Sequence, residues 1–201
     1  MNMKSKLTGI VLLVACVTTT ALAQQPPTVR ASGTVGSVTG TSFVLKPSNG
    51  EDVTVKLADK AQIFGAEPAK IADIKTGDFI AVGAMPQPDG SQKAIQVTIF
   101  AESIRGVGEG FHPWDRPNST MTNATVDTTV AGVDGQVVTV KYKDGDKKIV
   151  IGPNAEIRRY VPSDISELKA GAVVAMPRAE KQVDGSLQTG RIYIGRNGVK
   201  P

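Results

Sequence analysis

The residues best suited to chemistry are concentrated in one segment of this chain, residues 101–123. It contains the only histidine and the only tryptophan of the protein, His112 and Trp114. Glu109 and Asp115 each lie three residues from His112 and could join it as metal ligands. A structural zinc site usually has four ligands, mostly Cys or His, and one histidine with two carboxylates falls short of that. A metal site at His112, Glu109 and Asp115 is therefore the alternative hypothesis for this segment.

The same segment has the composition of a binding loop. Phe111 and Trp114 supply large apolar groups, and the neighbouring arginines and aspartate supply charge. Irregular segments longer than about 15 residues are commonly functional or linkers. We predict a binding site made of Arg105, Phe111, His112, Trp114, Asp115 and Arg116. A second interpretation stays open, in which Trp114 only packs against the neighbouring domains and fixes their orientation.

Sequence patterns of known catalytic sites are missing from the chain. The glycine-rich run at residues 106–110 lacks the spacing of a dinucleotide-binding loop and the Lys-Ser/Thr ending of a P-loop. No G-x-S-x-G nucleophile elbow is present. We therefore predict a protein that is not an enzyme and holds no cofactor.

The first 23 residues predict a signal peptide. Lys4 and Lys6 precede a short apolar run at residues 7–17, and Ala-Leu-Ala at residues 21–23 is a typical cleavage sequence. The run is about half as long as a membrane-spanning helix, so we expect no membrane span and a periplasmic location. Leu-Val-Ala-Cys at residues 13–16 also fits a lipobox, and in that alternative a lipid on Cys16 anchors the protein to the envelope.

Charge and aromatic content argue against nucleic acid as a partner. Of 23 Lys and Arg residues, 21 remain after loss of Lys4 and Lys6, against 19 Asp and Glu residues. Aromatic residues make up 4% of the chain, too few for a basic groove lined with stacking platforms. We expect an envelope protein, a peptide or a glycan as the ligand.

Two long parts of the sequence are similar to each other. The aligned pairs are residues 40–55 with 135–150, 71–82 with 165–176, and 89–91 with 184–186, at an offset of 94 or 95 residues. A repeat of this length predicts a duplicated domain.

Each copy has the pattern of a small β-domain. Asn49-Gly50 and Asp144-Gly145 separate alternating apolar runs, as in hairpins. Residues 68–75 and 162–169 each offer about two helical turns. This order is that of an OB-type barrel. We predict an all-β fold of two tandem five-stranded OB-like barrels, each with a short helix between strands 3 and 4, and sandwich-like or meander sheets are the alternative.

The predicted boundaries follow the repeat. They are a signal peptide at 1–23, an extended leader at 24–32, domain 1 at 33–100, a Gly/Pro-rich connector at 101–123, domain 2 at 124–197 and a tail at 198–201.

The aligned segments A-D-I-K-T-G-D-F-I-A-V and S-E-L-K-A-G-A-V-V-A-M, each followed by a D-G-S turn, resemble a family of exported bacterial domains of unknown function. The resemblance covers both copies and implies an OB-like fold without catalytic residues. Some relatives with a G-E-G-x-x-P-W-D segment carry a metal-transport description, which implies a metal-handling accessory role as the alternative. Our leading hypothesis is an exported periplasmic or cell-envelope binding or scaffolding protein, with a ligand that the sequence does not identify.

Overall fold

The computed structural model describes residues 26–132 and 135–201. Within these residues the regular structure is almost entirely strand, so the predicted all-β class is confirmed. Helices are limited there to the 3-10 turns Ile71–Asp73, Glu102–Ile104 and Ile165–Glu167. The predicted signal peptide, with Cys16 and the first two residues of the leader, lies outside the described residues.

Twelve strands, numbered in chain order, form one continuous sheet in the described part of the chain. They are β1 (Thr28–Thr39), β2 (Ser42–Lys46), β3 (Val53–Pro68), β4 (Phe79–Pro86), β5 (Gln92–Ile99), β6 (Gly110–Pro113), β7 (Thr120–Gly132), β8 (Gly135–Tyr142), β9 (Gly145–Ile151), β10 (Glu156–Ser163), β11 (Val173–Lys181) and β12 (Leu187–Gly195).

Five strands from the two ends of the chain close into a barrel, which we call the split barrel. β1 lies between β11 and β2, and β2 pairs with β3. β12 completes the ring, because it pairs antiparallel with β11 and parallel with β3. The first three strands of the chain and the last two therefore form one closed unit.

The strands between them form a second curved unit, which we call the inserted sheet. It consists of β4, β5, β7, β8 and β9 in the order β5-β4-β7-β8-β9. Its two outer strands meet through a parallel contact in which Gln92 and Lys93 lie opposite Ile149 and Val150. The chain thus completes this unit before it returns to the split barrel.

Each unit has its own apolar core. Phe43, Leu45 and Met176 are almost fully buried inside the split barrel, and Ile80 and Ile149 are buried in the inserted sheet. Alternate residues of a strand point to the same face, so the alternating apolar pattern collects these side chains on the inner face. Burial of one such side chain stabilises the fold by about 1.5–3 kcal/mol.

The aligned D-G-S turns have the same geometry. In one turn the backbone N–H and hydroxyl of Ser91 donate to Oδ1 of Asp89, at 3.0 and 2.6 Å. In the other, Ser186 donates to Asp184 in the same way, at 2.9 and 2.5 Å. This bonding of a short side chain to the backbone two residues on explains why the sequence turns there.

The expectation that residues 33–100 and 124–197 each close their own barrel is wrong. The chain leaves the split barrel after β3, so β4 and β5 pair within the inserted sheet, and β11 and β12 take the corresponding places beside β1 and β3. The exchange pairs equivalent strands in both units: Leu187 on β12 lies opposite Val55 on β3, and the aligned Gln92 on β5 lies opposite Ile149 on β9. Strand patterns that are alike in both copies do not specify which copy supplies the partner.

The segments predicted as short helices lie at the crossings between the two units. Each contains a single 3-10 turn of three residues, Ile71–Asp73 before β4 and Ile165–Glu167 before β11. The first follows β3, and the second follows β10. The first turn leads the chain from the split barrel into the inserted sheet, and the second leads it from β10 back into the split barrel. These short segments are therefore the connections at which the chain changes from one unit to the other.

β10 joins the two units by pairing with one strand of each. It runs antiparallel to β3 and parallel to β5. A row of aromatic rings in contact crosses the same boundary, with centroid separations of 4.1 to 5.7 Å: Phe64, Tyr193, Tyr160, Phe100 and Phe79. Burial raises the pKa of Tyr193 to about 12 and also raises that of Tyr160. The boundary between the units is therefore itself an apolar core.

None of the helices in the described ranges is both long enough and apolar enough to cross a bilayer.

Cutting the connector should leave the two halves of the chain bound to each other. A protease site inserted between the exposed residues Gly106 and Gly108 would separate β5 from β6. Both the split barrel and the inserted sheet then contain strands from both fragments, so we expect one native peak in size-exclusion chromatography and two fragments only in denaturant. An uncleavable insertion of equal length is the control. Separation of the fragments under native conditions would contradict the strand exchange.

Candidate functional site

The connector at residues 101–123 lies on the inserted sheet. It begins directly after β5 and leads through β6 into β7. Both β5 and β7 pair with β4, so the connector joins two strands of the same unit. It therefore does not join two separately closed barrels, because each unit contains strands from both halves of the repeat.

Arg105 fixes the beginning of the connector. Its guanidinium donates to both carboxylate oxygens of Glu102, at 2.6 and 2.7 Å, and to the carbonyl of Gly77 at 2.8 Å. Arg105 lowers the pKa of Glu102, and Glu102 raises the pKa of Arg105. A bidentate pair of this kind holds its geometry well. The predicted ligand-binding role of Arg105 thus competes with a structural one that the geometry shows.

Phe111 and His112 lie on β6, which pairs antiparallel with β7. Both are exposed at the surface. The ammonium nitrogen of Lys147 lies 4.7 Å from the centroid of the Phe111 ring. An exposed cation–π contact of this kind contributes about 0.5–1 kcal/mol.

Trp114 packs on the outer face of β4, at Gly83. A β-carbon at Gly83 would lie 2.6 Å from two carbons of the indole, so only glycine lets the ring approach this closely. The guanidinium of Arg116 lies 5.5 Å from the indole centroid, on the exposed side. The backbone N–H of Trp114 donates to the carbonyl of Ser119 at 3.0 Å and closes the loop. The packing interpretation of Trp114 therefore describes its contacts best.

The three predicted metal ligands are not brought together. Asp115 forms an exposed ion pair with Arg30 on β1. One carboxylate oxygen of Glu109 accepts a hydrogen bond from the backbone N–H of Lys143 at 3.1 Å. Within residues 26–132 and 135–201 no three His, Cys, Asp or Glu side chains are grouped so that they could hold a metal ion. Glu109, His112 and Asp115 are close in sequence only.

A cleft that the sequence analysis missed opens where β5 ends. Its volume is about 390 Å³, and it lies between the first turn of the connector and β10. Its apolar lining includes Ile99, Phe100, Tyr160 and Val161, and its polar lining consists of Asp73, Asp78, Glu102, Ser103 and Arg159. A mainly apolar cavity with a few polar groups is the usual composition of a small ligand site.

One edge of β10 is exposed to this cleft. The pairing of β10 with β5 ends at Arg159 opposite Ile99, whereas its pairing with β3 continues to Ser163. Residues 160–163 therefore pair on one side only. Strand edges of this kind accept hydrogen bonds from an added strand.

In the aligned place of the other half, the pairing along the strand edge extends one residue further. β12 continues until Gly195 lies opposite Ala66, and the N–H of Arg196 then donates to the carbonyl of Ala66 at 2.9 Å. The Arg196 side chain is held by Glu67 and by Glu167, whose Oε2 accepts from Nε at 2.8 Å.

Different residues at aligned positions explain why one side is open. Arg196 aligns with Ala101, and Gly65, over which the Arg196 guanidinium passes, aligns with Arg159. On the open side Arg159 reaches the 3-10 turn from the strand and binds Asp73 at 3.2 Å. The small side chain of Ala101 leaves the space beside it unfilled.

A signal for the cleft was present in the sequence. Residues 63–66 read I-F-G-A, whereas the aligned residues 157–160 read I-R-R-Y. Elsewhere the aligned copies share turn residues and apolar strand positions, so a change to two arginines and a tyrosine marks a surface that differs between the halves.

Comparison with known proteins identifies no relative. No protein-family model matches the chain, and neither the curated proteins nor the solved structures include a significant match. The resemblance to an exported bacterial domain family stays a prediction.

Substituting Gly83→Ala should displace Trp114. The added methyl group would overlap the indole, and overpacking of this kind costs about 1–3 kcal/mol. Trp114 is the only tryptophan, so its fluorescence reports the displacement directly, and we expect emission at longer wavelength. Gly152→Ala is the matched control, since no atom lies within 4 Å of its β-carbon position. Unchanged emission and stability in Gly83→Ala would contradict the packing.

Stability should fall in acid partly through Glu167. Hydrogen bonds from Arg196 and then Ser163 lower the pKa of Glu167, so the folded state binds its proton less tightly than the unfolded state does. The resulting stabilisation is present above about pH 4.3, the usual pKa of glutamate, and is lost as the pH falls through the lower pKa of the folded state.

We therefore expect Glu167→Gln to be less stable than the parent at neutral pH and to lose less stability between about pH 5 and 3. Urea unfolding measured at a series of pH values tests this. The exposed Glu51→Gln is the control for loss of charge alone. Parallel curves for Glu167→Gln and the parent would overturn the assignment.

Proposed function

We propose that this protein is an exported, non-catalytic binding or scaffolding protein of the bacterial cell envelope, and that it binds its partner in the cleft beside β10. The observation that carries the proposal is the cleft itself, where an apolar lining adjoins a strand edge paired on one side only. Such a surface provides both burial and backbone hydrogen bonds to a ligand.

We also propose that the split barrel and the inserted sheet are both OB-type barrels that arose by duplication. Strand order supports this, because β1, β2, β3, β12 and β11 follow one another around the ring as in a five-stranded OB barrel. Strands β7, β8, β9, β5 and β4 repeat that order in the inserted sheet. The nearly constant offset of 94 or 95 residues between the aligned segments supports a common origin of the two halves.

The pairing of the connector's charged groups favours binding over catalysis. Arg105 is bound to Glu102, Asp115 to Arg30, and Glu109 to a backbone N–H. A general acid or base needs a proton-transfer path to a substrate. Charged side chains that are already paired within the protein are better suited to stabilise the conformation of the connector than to transfer protons.

A photoreactive side chain in the cleft should capture the partner. We expect p-benzoylphenylalanine in place of Ser103, an exposed residue of the cleft, to give discrete adducts in intact envelopes. The same group at Val183, fully exposed on the β11–β12 turn, is the control and should give none of these adducts. Adducts of equal yield at both positions, or none at Ser103, would contradict a binding role for the cleft.

A further inference from the structure

We propose that the ligand of the cleft is an extended peptide segment with an arginine or lysine side chain, which lies along the edge of β10. This inference rests on the proposed function, because it names the chemistry of the partner that the cleft binds. Three independent features of the cleft support it.

The first feature is the strand edge. Residues 160–163 are held in extended conformation by β3, and no strand pairs with them on the other side within the described residues. An edge already fixed in this way binds an extended peptide through main-chain hydrogen bonds. Pro162 lacks an N–H, so the edge offers mainly carbonyl acceptors, which suits a peptide that donates its backbone N–H groups.

The second feature is the equivalent edge of β3 in the other half of the repeat. There the segment that follows β12 makes the contact that we propose for the peptide. Arg196 donates its backbone N–H to the edge carbonyl of Ala66. Its guanidinium binds Glu167, a carboxylate of the 3-10 turn. The open cleft has the corresponding edge at Tyr160 and the corresponding carboxylate at Asp73, which Arg159 contacts through one oxygen only, and Ala101 supplies no side chain to fill the space.

The third feature is the charge of the lining. Asp73, Asp78 and Glu102 line the cleft with one cation, Arg159. Arg105 holds both oxygens of Glu102, and Arg159 holds Asp73. The hydrogen bonds that Asp73 and Asp78 accept within the described residues all use Oδ2. Each of these two carboxylates therefore keeps one oxygen for a cationic donor.

The apolar lining suits the same side chain. Phe100 and Tyr160 are in tilted ring contact, with centroids 5.6 Å apart, and line the same cleft as the carboxylates. Arginine and lysine bury their aliphatic stems on apolar surface while the charged end reaches a polar group. The lining of the cleft supplies both apolar surface and carboxylates for such a side chain.

The test uses the purified protein and a labelled peptide copied from the segment that fills the aligned place. The probe is fluorescein-labelled Ile-Gly-Arg-Asn-Gly-Val, the sequence of residues 194–199. A second probe carries citrulline, which is neutral and nearly isosteric with arginine. By fluorescence anisotropy we expect the arginine probe to bind at least about tenfold more tightly, the size expected for one charge-assisted hydrogen bond. Equal affinity of the two probes would overturn the proposal.

Two variants locate the binding. Asp78→Asn removes one charge from the cleft and should reduce the preference for arginine over citrulline, whereas Asp144→Asn, on the distant β8–β9 turn, should leave it unchanged. Ala101→Arg supplies the side chain that is missing from the cleft and should abolish binding of both probes. Thermal unfolding establishes that each variant is folded. Binding that survives Ala101→Arg, or a preference unaffected by Asp78→Asn, would overturn the proposal.

Failure of this inference can be told apart from failure of the proposed function. If Ser103 captures a partner and neither peptide binds, the cleft is a binding site for another class of ligand and the peptide proposal is overturned. If Ser103 captures nothing, the proposed function fails first.

Discussion

The antiparallel pairing of β3 with β10 is the contact on which the arrangement of this protein depends. Ala66 on β3 lies opposite Tyr160 on β10. These two residues also align with each other in the repeat, so equivalent positions of the two copies face each other at this contact. Beside this contact each strand also pairs in parallel with a further strand, β3 with β12 of the split barrel and β10 with β5 of the inserted sheet. The row of aromatic rings formed by Phe64, Tyr193, Tyr160, Phe100 and Phe79 lies at the same boundary.

Much of this fold could be predicted from the sequence, because turn chemistry and alternation are local properties. Asn49-Gly50, Asp144-Gly145 and the two D-G-S turns lie between strands as expected. The choice of partner strand could not be predicted. In both copies the last two strands have the same pattern, and a strand from either copy satisfies the hydrogen bonds and buries the same face. Only the path of the chain after Pro68 decides between them.

The candidate site was harder to predict for a related reason. Unusual residues drew attention to the connector, where Trp114 packs on Gly83 and Arg105 is bound to Glu102. These side chains are distinctive because they hold a long loop on a sheet. The cleft depends instead on Ala101, a small residue that is informative only when its aligned position, Arg196, is known to fill the same space. A cavity forms where a side chain is too small to fill the available space, and a sequence motif does not show this.

The division of the split barrel between the ends of the chain sets an order for folding. All strands of the inserted sheet lie between residues 79 and 151, so this unit has its complete set of partners while the last 50 residues are still being made. The first strand, β1, must wait for β11, more than 130 residues later. Contacts so distant in sequence form slowly and late. Until the last three strands are made, the outer edges of β1 and β3 are exposed, and their protection from aggregation depends on what surrounds the nascent protein.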